Sequence, residues 1–371
     1  MSPRFRKSMC FVFLLVFAGG LDSLVSAQGV TPPSQGEIDA AGSAPLFASH
    51  DLLEITFEAD FQALRKEDRS RDSREDRPAM MSWNEPGKAG KSMEIQLRTR
   101  GNFRLSRRNC DFPPLRLRIK KGPSEGTLFE GQTRLKLVVT CKLRQDYWQQ
   151  YVLLEYMAYR TLNALTDRSL RVRLARVTYV DTSGKDDPFT RYAFLIEPEE
   201  NLASRNNASV VEWNVGQFDP RLLDRRNAIL TDVFQYMIGN TDWSGVEMHN
   251  MILIRDQENI AYTVPYDFDF SGLVNARYAT VDPSLRINRV RERLFRGFCP
   301  QDVNRPPADY EAVYDLFRER QEEISELWRG LESLDRKRLE ETLKYFDEFY
   351  DTINDPRRIE SRMMRDCRKI G

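Results

Sequence analysis

Histidine is the scarcest ionisable residue in this 371-residue chain, which contains only His50 and His249. Two histidines exclude multi-histidine zinc sites and the HExxH motif of metalloproteases, although a Ser-His-Asp hydrolase stays formally possible. Lysine is also scarce, with 12 lysines against 44 arginines. A function that depends on one particular lysine therefore has few candidate residues.

The chain also lacks an excess of charge of either sign, because 56 Lys and Arg residues balance 56 Asp and Glu residues. Proteins that bind nucleic acids usually carry a basic excess or a basic stripe, so no nucleic-acid partner is expected. Hydrophobic residues make up 41% of the chain and charged residues 30%, which is typical of a globular protein. The length allows one large domain or two of medium size.

No apolar run in the sequence is long enough to span a bilayer permanently. The run Met9–Ala18 follows three basic residues at positions 4–7, and the small residues Val25-Ser26-Ala27 come after it. This pattern predicts a signal peptide over residues 1–27 that is cleaved before Gln28. We therefore expect export to the periplasm or the extracellular space without a stable transmembrane anchor. A retained N-terminal anchor is the alternative.

Four cysteines follow the predicted cleavage site. An even number of cysteines in an exported chain predicts two disulfides, for which three pairings are possible. We favour Cys110–Cys141 and Cys299–Cys367, because each pair would hold one half of the molecule together. A catalytic cysteine is less favoured because no histidine-rich partner region exists, and a cysteine metal site is less favoured because the chain has no CxxC pair.

Hydrophobic patterns divide the rest of the chain into two regions. Residues 28–48, rich in Pro, Gly, Ser and Ala, predict a flexible lead-in, and the charged residues 65–92 predict a surface loop. Strands and one long helix are expected between residues 49 and 197. The predicted strands are 52–61, 93–100, 115–119, 134–140, 173–180 and 192–196, with the helix at 146–165. Residues 198–371 predict a helix at 221–239, a hairpin at 250–266 and helices at 308–330 and 334–353.

The segment Gly239–Gly272 has the most informative pattern, GNTDWSGVEMHNMILIRDQENIAYTVPYDFDFSG. Asp242 follows a predicted helix, Asn250 begins a predicted strand, and Asp267 and Asp269 follow the next strand. The hairpin should bring these side chains together. Phosphoryl transfer needs hard oxygen ligands for Mg²⁺ and a carboxylate that orients the incoming hydroxyl group. The order Asp, Asn, Asp is also that of kinases, although Asp242 and Asn250 are eight positions apart instead of five.

Other interpretations of these residues stay open. Asp242 alone could cap a turn, and Asp267 and Asp269 could be exposed residues of an edge strand. A calcium site without catalysis and a metal-dependent hydrolase are further alternatives, although the scarcity of histidine disfavours a hydrolase.

A lysine that would contact a nucleotide has to be sought elsewhere in the chain. Lys136 lies in the predicted strand RLKLVVT, and Glu155 follows 19 positions later on the predicted long helix. A strand lysine paired with a helix glutamate is the arrangement that holds the α- and β-phosphates in kinases. An outward-facing lysine on an amphipathic strand is an equally good interpretation, and Lys142 and Lys120 are the other candidates.

Four stretches resemble the spore coat protein H (CotH) kinase-like family of atypical secreted kinases. They are LRTRGN at Leu97–Asn102, YMAYRTLNAL at Tyr156–Leu165 with the strand leading to Tyr192–Glu197, Asp242-Trp243 with His249-Asn250, and PYDFD at Pro265–Asp269. The resemblance implies an α+β, two-lobed atypical protein-kinase-like fold. A strand-rich N-lobe with one long helix, residues 49–197, would bind the nucleotide. A mainly helical C-lobe, residues 198–371, would carry the catalytic loop and the metal site.

The resemblance also implies a function. It implies that the chain binds ATP with Mg²⁺ (or Mn²⁺) and transfers phosphate to a hydroxyl group of an unidentified envelope or secreted protein. Asp242 would be the catalytic residue, Asp267 or Asp269 would bind the metal together with Asn250, and Arg100 would contact the phosphates. The exported location leaves the phosphate donor open. The alternative is a catalytically inert kinase-fold binding module of the cell envelope.

Overall fold

The structure, a computed structural model, describes residues 32–67, 74–85, 89–212 and 219–370. The predicted signal peptide lies outside the described residues. From Pro32 onward the chain clusters into one compact unit. The described part of the predicted lead-in contains a helix, Gln35–Gly42, which begins with a capping box between Ser34 and Glu37.

Strands with alternating apolar residues form a closed barrel. The strands are β1 (Leu53–Ala59), β2 (Arg77–Asn84), β3 (Lys91–Thr99), β4 (Leu115–Ile119), β5 (Arg134–Val138), β6 (Val172–Asp181) and β7 (Phe189–Ile196). They pair in the order β1-β2-β3-β4-β5-β7-β6, and β1 pairs in parallel with β6 to close the ring. Successive side chains of a strand point to opposite faces, so Phe57, Leu97 and Leu137 fill the interior.

The predicted two-lobed kinase-like fold, with a strand-rich N-lobe and a mainly helical C-lobe, is wrong. The strands of the first half form a closed seven-stranded mixed barrel, and the second half contains its own three-stranded sheet. The barrel closes because β2, which lies in the segment predicted to be a charged loop, adds a strand, and because β6 returns beside β1. Every strand thereby gains two neighbours, and the sheet has no free edge.

The three-stranded sheet lies in the second half of the chain. It contains β8 (Ala208–Val210), β9 (Met251–Asp256) and β10 (Ala261–Pro265) in the order β10-β9-β8, and all pairs are antiparallel. The predicted hairpin is therefore present as β9 and β10.

Ten α-helices occur in the described part of the chain. They are α1 (Gln35–Gly42), α2 (Phe61–Lys66), α3 (Lys121–Ser124), α4 (Gln149–Leu165), α5 (Glu199–Arg205), α6 (Arg225–Met237), α7 (Pro307–Glu319), α8 (Gln321–Arg329), α9 (Arg336–Ile353) and α10 (Pro356–Ile359). Helix α4 is buried along nearly its whole length and packs between β7 and α8. The indole of Trp328 on α8 donates a hydrogen bond to Thr161 Oγ1 of α4 at 2.9 Å.

A shared aromatic core fixes the segment after β10 against the helices. Phe268 is fully buried, and its ring centroid lies 4.6 Å from that of Tyr159 on α4 and 5.4 Å from that of Phe234 on α6. Aromatic pairs at these distances stabilise a fold by more than their buried apolar area alone would. The residues on either side of Phe268 are thus held at a defined position relative to α4.

Both predicted disulfides are confirmed. Cys110–Cys141 joins the loop after β3 to the residues after β5, and Cys299–Cys367 joins the segment before α7 to the C-terminal segment. Structural disulfides are typical of chains that fold outside a reducing cytosol. Of the helices in the described ranges, none combines the length and apolar character that a membrane span requires.

Candidate functional site

The segment after β10 places two predicted metal ligands in different environments. Asp267 has φ 63°, in the left-handed region, and its backbone N–H donates a hydrogen bond to the Tyr159 hydroxyl at 2.8 Å. The Asp267 side chain is exposed, whereas Asp269 is buried and its Oδ2 accepts a hydrogen bond from the Tyr278 hydroxyl at 3.0 Å. Buried Phe268 lies between them, so the two carboxylates flank one anchored ring.

Glu155 on α4 adds a third carboxylate to this group. It is only 2% exposed, and the Arg104 and Arg100 guanidinium groups act on it electrostatically. Burial raises its pKa well above the usual range, and repulsion from Asp269 and Asp267 raises it further. We call Glu155, Asp267 and Asp269 the acidic cluster. Carboxylates crowded in this way are stabilised by a cation placed among them.

The pKa of Asp269 is also raised, to about 7. Burial is the largest cause, repulsion from Asp267 adds to it, and the Arg104 guanidinium and the Tyr278 hydroxyl oppose it. Asp242 also raises this pKa, which places the Asp242 carboxylate within electrostatic range of the acidic cluster.

Two arginines of the loop after β3 lie beside the acidic cluster. Arg100 interacts electrostatically with Asp267 and Glu155, and Arg104 interacts with Asp269, Glu155 and Asp267. The Arg104 guanidinium also donates to the backbone carbonyl of Val139. The Nε–H groups of both arginines are buried, and no described residue accepts a hydrogen bond from them. Arg100 was a sequence prediction, but Arg104 was not, although it lies only four residues further along the same loop.

The loop after α6 holds Asp242 in a small hydrogen-bond network. Asp242 Oδ1 lies 3.1 Å from His249 Nε2. Asn250 Nδ2 donates to the Asp242 backbone oxygen at 2.7 Å and to Asp242 Oδ2 at 3.2 Å. Among the described residues no donor reaches Asn250 Oδ1, so this oxygen is available to a ligand. The structure thus brings Asp242 and Asn250 together and adds His249, which belonged to the resembling stretch but was not predicted to be a site residue.

Three non-glycine residues of this region have backbones in the left-handed region. They are Met248 (φ 51°), Asn250 (φ 54°) and Asp267 (φ 63°). Asn and Asp tolerate this region better than most residues, whereas for Met248 it is unfavourable. Such strained residues persist only where surrounding contacts fix them, and they concentrate at functional sites. Here the hydrogen bonds between the backbones of Ser244 and His249, each 3.1 Å, hold the loop in place.

Lys136 lies at the edge of this region and pairs with Glu199, not with Glu155. Lys136 Nζ is 2.7 Å from Glu199 Oε1 on α5 and 5.0 Å from the ring centroid of Tyr266. Tyr266 directly precedes Asp267 in the chain. The lysine therefore contacts the residue that precedes Asp267 in the chain, and its charge is already balanced by Glu199.

The arrangement suits a divalent cation only with additional ligands. Within the described ranges, no group of three His, Cys, Asp or Glu side chains is placed to hold a metal ion. Mg²⁺ is commonly bound by one or two carboxylates and completes its shell with water and phosphate oxygens. Asp267, Asp269 and Asn250 supply hard oxygen donors of that kind, so the residues present are compatible with Mg²⁺ bound together with a phosphate ligand.

Comparisons with known proteins add no family to this picture. No protein-family model matches the chain, and no curated protein matches it. The resemblance to the CotH kinase-like family rests on the four sequence stretches described above.

Proposed function

We propose that this protein is an exported phosphotransferase that transfers phosphate from a nucleotide bound with Mg²⁺, in the first instance ATP, to a hydroxyl group of an envelope or secreted protein. One observation carries the proposal. A buried carboxyl group, Glu155, interacts electrostatically with Asp267 and Asp269, Arg100 and Arg104 act on the same group of acids, and Asp242 acts on Asp269. Negative ligands for a cation and positive ligands for phosphates thus occur side by side.

Asp267, Asp269 and Asn250 are the residues that would hold Mg²⁺ (or Mn²⁺). When bound, the cation would neutralise charge on the phosphates. Arg100 and Arg104 would contact phosphate oxygens, for which the planar guanidinium group is well suited. A phosphate would compete with Glu199 for Lys136.

Asp242 is the residue that would orient the acceptor hydroxyl group and receive its proton. Its side chain is 41% exposed, so an incoming hydroxyl group can reach it. His249 and Asn250 hold its two carboxylate oxygens, which limits the rotation of the side chain. A carboxylate fixed in this way lowers the cost of orienting the hydroxyl group.

The alternative function is a binding module of the cell envelope that transfers nothing. The Lys136–Glu199 ion pair favours it, because in this arrangement the lysine is not paired with Glu155. Both proposals place the protein outside the cytosol, in the periplasm or the extracellular space, and the two disulfides support that location.

A transfer assay tests the proposal. Purified protein incubated with γ-labelled ATP and Mg²⁺ or Mn²⁺ is expected to label itself or an added protein, because the acidic cluster needs a cation to accept the phosphates. A chelator should abolish the labelling, and α-labelled ATP should give none. Absence of both nucleotide binding and label transfer with every metal and nucleoside triphosphate tried would favour the binding module.

A further inference from the structure

A polar cavity that is separate from the acidic cluster lies among α1, α4, α5 and the start of β6. Its volume is about 320 Å³, and no residue of the acidic cluster lines it. Four segments contribute to it: the connection between α1 and β1 with His50, the end of α4 and the following loop with Thr166 and Asp167, the residue before β6, Arg171, and the end of α5 with Arg205. A volume of this size accommodates a small molecule.

His50, a residue of the cavity lining, lies in an environment of positive charge. Three arginines, Arg160, Arg173 and Arg171, act electrostatically on His50, and Asp51 is the opposing acid. Together with burial, the largest cause, they lower the pKa of His50 to about 4. His50 is therefore neutral near pH 7 and can donate one ring N–H.

The other charged groups at the cavity are mostly engaged already. Arg205 forms a buried ion pair with Glu197, with Nε 2.9 Å from Oε1, and it also donates to the backbone oxygens of Asp167 and Ser169. Asp167 is exposed at the rim.

Arg171 differs from Arg205, because only part of its guanidinium group is used. Within the described part of the chain its guanidinium makes one hydrogen bond, to the Gly42 carbonyl oxygen at 3.0 Å. The Glu197 and Asp167 carboxylates act on it electrostatically, but among the described residues no acceptor hydrogen-bonds its remaining N–H groups.

We propose that this cavity binds the phosphate group of a small molecule through Arg171, His50 and the Thr166 hydroxyl. These donors come from three separate segments, and they suit a tetrahedral anion that offers several acceptor oxygens. A phosphate monoester carries close to two negative charges at pH 7, more than a single carboxylate, and so gains more from the neighbouring arginines. The shared chemistry is the phosphate group, whether free or esterified to a small alcohol.

Nuclear magnetic resonance of the histidine rings tests the proposal, because the chain has only two histidines. The His249→Gln variant assigns the two signals. Inorganic phosphate and glycerol 3-phosphate, added separately, are expected to shift the His50 signal saturably. Tighter binding of glycerol 3-phosphate would identify an esterified ligand, and equal binding would identify phosphate alone as the recognised group.

Arg171→Gln is expected to weaken phosphate binding by at least about tenfold, because it removes a charge-assisted hydrogen bond. The backbone of residue 171 would keep its hydrogen bonds with Glu197. Arg176→Gln is the matched control, because Arg176 lies further along β6 and pairs with Glu54 at the surface. If Arg171→Gln does not fold, Arg171→Lys takes its place. Calorimetry should then show that phosphate binds severalfold more weakly to this variant than to the wild type.

The proposal would be overturned by the absence of a saturable shift of the His50 signal at millimolar phosphate, by a shift of the His249 signal alone, or by an equal loss of phosphate binding in Arg176→Gln. A citrate response as strong as the phosphate response would also overturn it. None of these measurements depends on ATP, so this test and that of the transferase proposal can fail independently.

Discussion

Asp242→Asn is expected to slow phosphate transfer by about 10²- to 10⁴-fold, because a general base usually contributes a rate factor of this size. Nucleotide binding should stay nearly unchanged. Asparagine has almost the same shape as aspartate but cannot accept the proton of the hydroxyl group. The rate of label transfer and the dissociation constant for ATP, measured separately, distinguish the two effects.

The control for this variant is Glu247→Gln in the same loop. Glu247 is exposed, and its backbone N–H, not its side chain, bonds to the Ser244 hydroxyl. The Glu247→Gln variant removes one negative charge, as Asp242→Asn does, but it leaves the hydrogen bonds of Asp242 intact. Its rate of phosphate transfer should therefore match that of the wild type. Full activity of Asp242→Asn, or equal slowing by both variants, would contradict the assigned role.

The second large effect concerns stability. Replacing Cys299 and Cys367 together with serine is expected to lower the free energy of unfolding by about 4 kcal/mol, because the unfolded chain loses a constraint on a long loop. The disulfide closes a separation of 68 residues. It lies where Cys299 and Arg368 share a backbone hydrogen bond of 2.8 Å. Urea unfolding of the oxidised protein and of the variant measures the difference.

The corresponding double variant of Cys110 and Cys141 provides the comparison. This disulfide closes a separation of only 31 residues. Its removal should therefore cost slightly less than removal of Cys299–Cys367. An unchanged unfolding free energy in the Cys299–Cys367 variant would contradict a structural role for that bond.

Local signals in the sequence predicted individual elements of the barrel but not its closure. Strand β4 has the predicted bounds, because its apolar residues alternate strictly. Strand β2 was missed, because its inward residues Ala79, Met81 and Trp83 lie next to a stretch rich in charged residues. The parallel pairing of β1 with β6 joins segments about 120 positions apart, and nothing in either strand specifies the other as its partner.

The candidate site was predictable where one hairpin determines it. Strands β9 and β10 bring Asn250 next to the segment that begins at Tyr266, whose N–H donates to the Asn250 carbonyl at 3.1 Å. The partner of Lys136 was not predictable in the same way. Strand alternation shows which face a lysine occupies, but only the position of α5 places Glu199 within reach. Arg104 and Tyr278 reach the acidic cluster through tertiary packing, for which the sequence has no local signal.

The proposed phosphate transfer requires that Asp267, Asp269 and Asn250 hold a divalent cation together with a nucleotide. Electron paramagnetic resonance of Mn²⁺ titrated with the protein tests it directly, with and without ATP. We expect one Mn²⁺ per chain, bound more tightly with ATP than without it, and loss of this binding in Asp267→Asn. The variant should keep its fold, because asparagine tolerates the left-handed backbone of residue 267. Asp315→Asn, on the exposed surface of α7, should bind as the wild type does. Equal Mn²⁺ binding by Asp267→Asn and the wild type, or no binding in the presence of ATP, would contradict the claim.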